Sequence, residues 1–178
     1  LNVINLLIAN AQLSLPGGLR RYIYFLNRYL VQYRFDSVDL KNYKDGNVFN
    51  ALTGLGRNKY PVYDDLVSVI IPAYNNRDTI EYAINSILNQ THKNFEIIVV
   101  DDCSEDGTYE HCLEISKKDL RIKCLKNDVN SGAYVSRNRG LQVASGDFVT
   151  VLDADDWSFP NRLSYQLFKL KGSRKKAH

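Results

Sequence analysis

Along residues 66–168 the apolar and polar positions switch repeatedly between two periods. Val67-Ser68-Val69-Ile70-Ile71 is a short β-branched run stopped by Pro72, which predicts a buried strand. Ile80, Ala83, Ile84, Ile87 and Leu88 then fall at i, i+3, i+4, i+7 and i+8, one apolar face of a helix. Asp78, with Glu81 three residues later, predicts an N-terminal capping pair for that helix. Phe95 to Val100 predicts a second strand, ending in Asp101-Asp102. A helix over 106–117, a strand at 121–125 and a helix from Gly132 to Ala144 follow. Phe148 to Leu152 is another strand ending in acid, Asp153-Ala154-Asp155-Asp156, and a last helix is expected near Pro160, which suits the first helical position.

Strands alternating with helices predict an α/β fold, a mostly parallel Rossmann-like sheet with helices on both faces. Such sheets bind ligands at the carboxyl ends of their strands. Here those ends carry Pro72-Ala73-Tyr74-Asn75, Asp101-Asp102 and Asp153-Ala154-Asp155-Asp156. Residues 1–65 read differently, as a mostly helical N-terminal extension before a sheet domain over 66–178. Val3 to Ala9 is a weak strand, and Leu19 to Tyr33 is apolar or aromatic around most of a helix, which implies packing against another surface. From Asn42 to Pro61 the chain is rich in Asn, Gly, Lys and Tyr and is expected to be irregular.

Composition adds exclusions. With 178 residues, 44% hydrophobic and a net charge of +3, the chain has the material for a core and is not globally disordered. Its longest apolar stretches fall far short of the ~20 residues that span a bilayer. Net charge hides a partition: +3 over residues 1–65, −5 over 66–168 and +5 in the last ten residues. That basic tail reads as a solvated end or a membrane-surface patch, and without interleaved aromatics no nucleic-acid partner is expected. Cys103, Cys112 and Cys124 have no metal-ligand spacing and read as reduced thiols of a cytoplasmic chain. No secretory leader is recognisable at the N-terminus. The lack of any methionine, and Leu1 as first residue, lead us to expect a piece of a longer protein.

The candidate chemistry lies in carboxylates and one arginine. No glycine-rich phosphate loop follows Ile71 and no G-x-S-x-G elbow is present, while His92 and His111 read as surface positions. Asp153 and Asp155 offer two hard oxygen ligands suited to Mg²⁺ or Mn²⁺, the alternative being one helix cap and one solvated carboxylate. Asp101-Asp102 ends a neighbouring strand, and carboxylates converging on one sheet edge require a cation or hydrogen-bond donors. Arg137 shares a helical stripe with Ala133, Leu141 and Ala144, and its guanidinium calls for an anion, either phosphate or a structural carboxylate.

Taken in order, these segments resemble the family 2 glycosyltransferases. The resemblance rests on Val67 to Asn75, Ile97 to Ser104 with Asp106-Gly107-Thr108, Asn130-Ser131-Gly132 with Ser136 to Leu141, and Ala144 to Phe148 with Leu152 to Asp156. It implies a GT-A fold and an inverting transfer from a nucleotide-diphosphate sugar, a UDP-sugar foremost, assisted by Mn²⁺ or Mg²⁺. It further implies a carbohydrate or lipid-linked acceptor, surface polysaccharide or glycoconjugate as product, and peripheral association with the inner membrane face. Carried over by position, Pro72, Ala73 and Tyr74 line the base and ribose, with Asn75 beside them. Asp102 bonds the base, Asn130, Gly132 and Arg137 lie near the nucleotide and diphosphate, Asp153 reaches the ribose or metal, and Asp155 is the principal metal ligand.

One departure qualifies the resemblance. The family's general base lies well downstream of its D-x-D, and the 22 residues after Asp156 offer no plausible base, so it is expected beyond His178. A positioned base contributes ~10²–10⁴-fold in rate. A non-catalytic nucleotide-sugar-binding or interaction module is therefore the competing reading. A D-x-D-x-T phosphatase is disfavoured because Trp157 stands at the Thr position.

Overall fold

In a computed structural model of the chain, the described residues are 18–32, 37–40, 52–54 and 60–174. They fall into two compact units, 1–57 and 58–178. The strand expected at Val3 to Ala9 lies outside the described residues.

The first unit contains helix α1 (Gly18–Gln32) and an antiparallel strand pair, β1 (Val38–Leu40) and β2 (Leu52–Gly54). Ile23 and Leu30 of α1 are buried and Tyr24 is exposed. Asn27 brackets Val38, its Nδ2 donating to Val38 O at 2.7 Å and its Oδ1 accepting from Val38 N at 2.8 Å. Strand β2 corrects the expectation of an irregular 42–61. Three residues are too few to register a two-residue period.

The second unit is built on four parallel strands, β3 (Val67–Ala73), β4 (Phe95–Asp101), β5 (Ile122–Lys126) and β6 (Phe148–Val151), ordered β5-β4-β3-β6. Helices α2 (Ile80–Leu88), α3 (Thr108–Ser116), α4 (Ala133–Val143) and α5 (Arg162–Arg174) alternate with them. Every residue of β3 and β4 is buried, as expected of central parallel strands covered on both faces. Val69, Ile71, Ile97 and Val99 share one face and form a single core with Ile80, Ile84 and Ile87 of α2, Cys112 and Ile115 of α3, and Leu163 and Leu167 of α5. The opposite face receives α4. Gly140 lies so close to Ile70 that a Cβ there would fall 2.6 Å from Ile70 Cγ2. Right-handed crossovers require this division, because the chain steps one way from β3 to β5 and then reverses to reach β6.

Two local expectations change. Asp78 and Glu81 do not cap α2: the N-cap is Thr79 with no side-chain bond, and Ile80 N donates to Asn76 O at 2.9 Å. Glu81 Oε2 instead lies 3.2 Å from His111 Nε2. His92 is buried rather than at the surface, its Nε2 within 3.0 Å of Asp65 O and 2.9 Å of Asn94 O.

At the amino end of the sheet a buried carboxylate secures the loop after α4. Glu96 Oε1 accepts from Ser68 Oγ (2.6 Å), Ser145 N (2.7 Å) and Ser145 Oγ (2.9 Å), and Oε2 from Lys123 Nζ at 2.7 Å. Burial acts to raise the pKa of Glu96, but the Lys123 ammonium, the Ser68 hydroxyl and the two Ser145 donors outweigh it and lower the pKa from 4.5 to about 2. A depressed carboxylate contributes stability that is fully present above pH 4.5 and is lost as pH falls toward 2. Glu96→Gln is therefore expected to destabilise the fold by about 1–3 kcal/mol at neutral pH. Urea unfolding at pH 7 and pH 3 checks this: the deficit of the variant should shrink at the lower pH, and an unchanged deficit would contradict the assignment.

Candidate functional site

Strand pairing opens a crevice at the carboxyl edge of the sheet. β3 pairs with β4 over seven residues, Val67↔Phe95 to Ala73↔Asp101, but with β6 over only four, Val67↔Phe148 to Ile70↔Val151. Beyond Ile70 the two strands part, at the point where strand order reverses. Open α/β sheets take ligands at such switch points.

On the β3 side, Pro72 and Ala73 are buried and Tyr74 is 47% exposed. Asn75 (φ 53°) and Cys103 (φ 63°) both hold the left-handed backbone region at adjacent strand ends. Asparagine tolerates that region, whereas cysteine enters it rarely, and such residues gather at functional sites. A net of short bonds joins the two turns. Asn75 N donates to Ser104 Oγ and Glu105 N to Asn75 Oδ1, at 2.9 and 3.0 Å. Asn76 N donates to Thr108 Oγ1 and Arg77 N to Asp106 Oδ2, both at 2.9 Å. Burial works against the charge on Asp106, yet the Thr108 hydroxyl and the Arg77 and Thr108 N–H groups hold its carboxyl below the usual range.

Asp102 is the hub of the next strand end. It is buried, and Oδ1 accepts from Asn127 Nδ2 (2.6 Å) and Ser131 N (3.0 Å), while Oδ2 accepts from Ser131 N (3.2 Å) and Gly132 N (2.6 Å). Burial alone would raise its pKa; the Ser131 N–H, the Asn127 amide and the Gly132 N–H lower it, so the carboxylate is ionised. Gly132, at φ 86° and ψ 160°, occupies a region essentially reserved for glycine and turns the chain into α4. Asn130 is exposed in the same loop. Asp101 sits beneath, with Oδ2 accepting from Ser104 N at 3.0 Å and Oδ1 buried without a hydrogen-bond partner among the described residues.

On the β6 side, Arg137 of α4 meets the acidic turn. Its Nη2 donates to Asp153 Oδ1 at 2.7 Å, its guanidinium carbon lies 5.5 Å from the Tyr134 ring centroid, and its buried Nε has no acceptor among the described residues. Asp156 N closes the turn on Asp153 O at 3.0 Å. Burial of its own carboxyl, then the negative charges of Asp155 and Asp153, push the pKa of Asp156 up, against the opposing charge of Arg162. Three acids thus share one turn, with Asp155 exposed.

Residues outside the expected set shape this site. Asn127 and Ser131 supply donors to Asp102, and Arg139 fixes Asn127 through a 2.7 Å bond to its Oδ1. Arg162 Nη2 donates to Thr150 Oγ1 and Val151 O at the end of β6. Gln90, fully buried, donates to Ser86 O and Phe159 O and accepts from Leu163 N, pinning the segment after the acidic turn. Asn127 directly follows β5 as Asp101-Asp102 ends β4, a positional signal available in the sequence. Gln90 carries no such signal.

With this geometry in view, the comparisons are consistent. The sequence model of Glycosyl transferase family 2 matches residues 68–177. A *Bacillus subtilis* chain named as a teichuronic acid biosynthesis glycosyltransferase (TuaG) is 47% identical over 102 residues, covering 57% of this chain and 40% of its own length. The *Escherichia coli* UDP-Glc:α-D-GlcNAc-diphosphoundecaprenol β-1,3-glucosyltransferase WfaP is 45% identical over 103 residues, covering 58% of this chain and 40% of its own. The chain therefore spans about 40% of the length of these relatives. The crystal structure of *S. aureus* TarS 1–349 in complex with UDP aligns with a TM-score of 0.56 at 33% identity, covering 61% of this chain and 32% of TarS 1–349. The family match extends from β3 through the acidic turn into α5, the segment that builds the crevice, and the chain belongs to glycosyl transferase family 2.

Proposed function

We propose that this chain is the donor-binding part of an inverting glycosyltransferase, which transfers a sugar from a nucleotide diphosphate to a hydroxyl of a carbohydrate or lipid-linked acceptor. The observation that carries the reading is the 2.7 Å Arg137–Asp153 pair, formed in the turn that also carries Asp155 and Asp156 past the end of β6. A guanidinium with an unpartnered Nε is suited to a phosphate oxygen, and its bond to Asp153 is one that phosphate can share. Pro72, Ala73 and Tyr74 offer an apolar wall for a base and ribose, with Asn75 at its rim. Asp102 acts on this wall mainly through the loop it holds, since its four accepted bonds leave little of the carboxylate for a base. A UDP-sugar is the preferred donor, on the strength of relatives solved with UDP or named for UDP-Glc.

Asp153 and Asp155 fit a Mg²⁺ or Mn²⁺ ion: both are hard oxygen donors, and their charge already perturbs Asp156, so a cation there relieves repulsion. Among the described residues no three acidic, histidine or cysteine side chains group into a cation site, so Asp153 and Asp155 would hold the ion together with the donor's phosphates. The ion, when bound, supplies Lewis-acid neutralisation of the leaving diphosphate. No described helix is long and apolar enough to cross a membrane, and work on a lipid-linked acceptor would need only contact with its surface.

Calorimetry of UDP binding to the full chain tests the reading. Affinity with Mn²⁺ should exceed that in EDTA by at least about tenfold, or ~1.4 kcal/mol. Asp155→Asn should remove the difference while leaving the circular dichroism spectrum intact. Equal affinity with metal and EDTA would exclude the metal role, and absence of UDP binding in both would exclude the donor site. Asp102→Asn is expected to differ from Asp155→Asn by lowering stability as well, by about 2–4 kcal/mol, because an amide turns N–H groups toward the Ser131 and Gly132 donors. Thermal unfolding separates the two variants.

A further inference from the structure

Two thiols away from the crevice have no part in that chemistry. Cys112 is fully buried in the core on the inner face of α3, and Cys124, in the middle of β5, is partly buried and packs against the same core. Residues 122, 124 and 126 share one face of the strand. At one end of that face Lys126 reaches α3, its Nζ 5.1 Å from the Tyr109 ring centroid and 3.8 Å from Glu110 Oε1. At the other end Ile122 joins Ile115 in the core. The helix therefore runs antiparallel to the strand, and Cys112, between Tyr109 and Ile115, stands opposite Cys124, between Lys126 and Ile122. The Ser116 hydroxyl, one turn beyond Cys112, donates to Leu113 O at 2.9 Å.

We propose that Cys112 and Cys124 are an oxidisable dithiol, in which Cys124 attacks a hydroperoxide and Cys112 closes a disulfide joining α3 to the edge strand β5. The asymmetry of the pair sets the order of events. The neighbouring Cys124 thiol, then burial, push the Cys112 thiol far up, whereas the Cys112 thiol draws the Cys124 thiol down against its burial. Cys124 is also the more accessible of the two. The thiolate is the attacking species in such chemistry, and a buried partner beside it is placed to resolve the product. With hydrogen peroxide as oxidant, the Cys124 sulfur takes one oxygen as the O–O bond breaks. The other oxygen leaves as hydroxide and, with the thiol's proton, becomes water. The Cys112 sulfur then displaces hydroxide from the sulfenic acid, and its own proton makes the second water. Two thiols lose two electrons and the peroxide gains them. Cys103 stands apart, its Sγ 3.6 Å from Asp128 O. The disulfide would fix α3, whose Thr108 and preceding Asp106 hold the backbone of Asn76 and Arg77 beside the crevice.

The test is peroxide treatment of the full chain, alkylation of remaining thiols, digestion and mass spectrometry without reductant. The expected result is loss of two of the three alkylatable thiols, a peptide pair joined through Cys112 and Cys124, and full reversal by dithiothreitol. Cys112→Ala should instead accumulate a dimedone-trapped sulfenic acid at Cys124, and Cys124→Ser should leave Cys112 unmodified. If Cys112→Ala does not fold, the cross-link map of the unsubstituted chain decides alone. A disulfide to Cys103, or Cys112 and Cys124 both still free when Cys103 is oxidised, would overturn the proposal.

Discussion

Helix α4 is clamped at both ends by carboxylates from one face of one strand. Asp102, just past the end of β4, accepts the N–H groups of Ser131 and Gly132, which lead into the helix. Glu96, near the start of β4, accepts the N–H and hydroxyl of Ser145, which lead out of it. The two residues are six positions apart, so strand periodicity puts them on the same side of the sheet as α4. Asp102 also sits at the helix N-terminus, where a negative charge is favoured by the aligned peptide dipoles. Both charges are buried and multiply hydrogen-bonded, the condition under which a buried carboxylate is tolerable. The helix that presents Arg137 is thereby placed by electrostatics at its ends as well as by packing along its length.

The crevice follows from a different constraint, the unequal pairing of β3. Its long register with β4 and short register with β6 leave the carboxyl ends of β3 and β6 unjoined, and the reversal in strand order puts α4 across that side. Arg137 and the acidic turn come from opposite sides of the gap and meet at 2.7 Å. Charge separation is local. The acidic character of the central segment gathers at the strand ends, while Lys123 and Arg121 neutralise carboxylates elsewhere, the latter through a two-pronged bond to Asp119 at 3.0 and 2.7 Å.

The alternation of periods made the sheet readable because β3 and β4 are buried on both faces and so appear as unbroken apolar runs, with polar residues where each strand stops. The candidate site was readable for the same reason: Asp102 directly follows β4, and Asp153 and Asp155 stand two and four residues past the end of β6. Less was legible where partners are distant in sequence. That Asp102 would spend its carboxylate on Asn127, Ser131 and Gly132 depends on contacts 25–30 residues away. The capping pattern at Asp78 and Glu81 was local and still misled, because the Asn76 carbonyl had already taken the first helical donors. His92 looked solvent-facing by composition alone and is enclosed by the backbone of Asp65 and Asn94.

Gly140 sets a distance. With no side chain, it lets the helix axis settle onto Ile70, and Arg137, one turn earlier, inherits that depth. The reach of the guanidinium into the crevice is thus governed by a hydrogen atom one turn along the same side of the helix, and the position of a charge is controlled by a residue that carries none. A larger residue there would act as a spacer, altering how far the arginine extends without touching the arginine, the acids or any bound group.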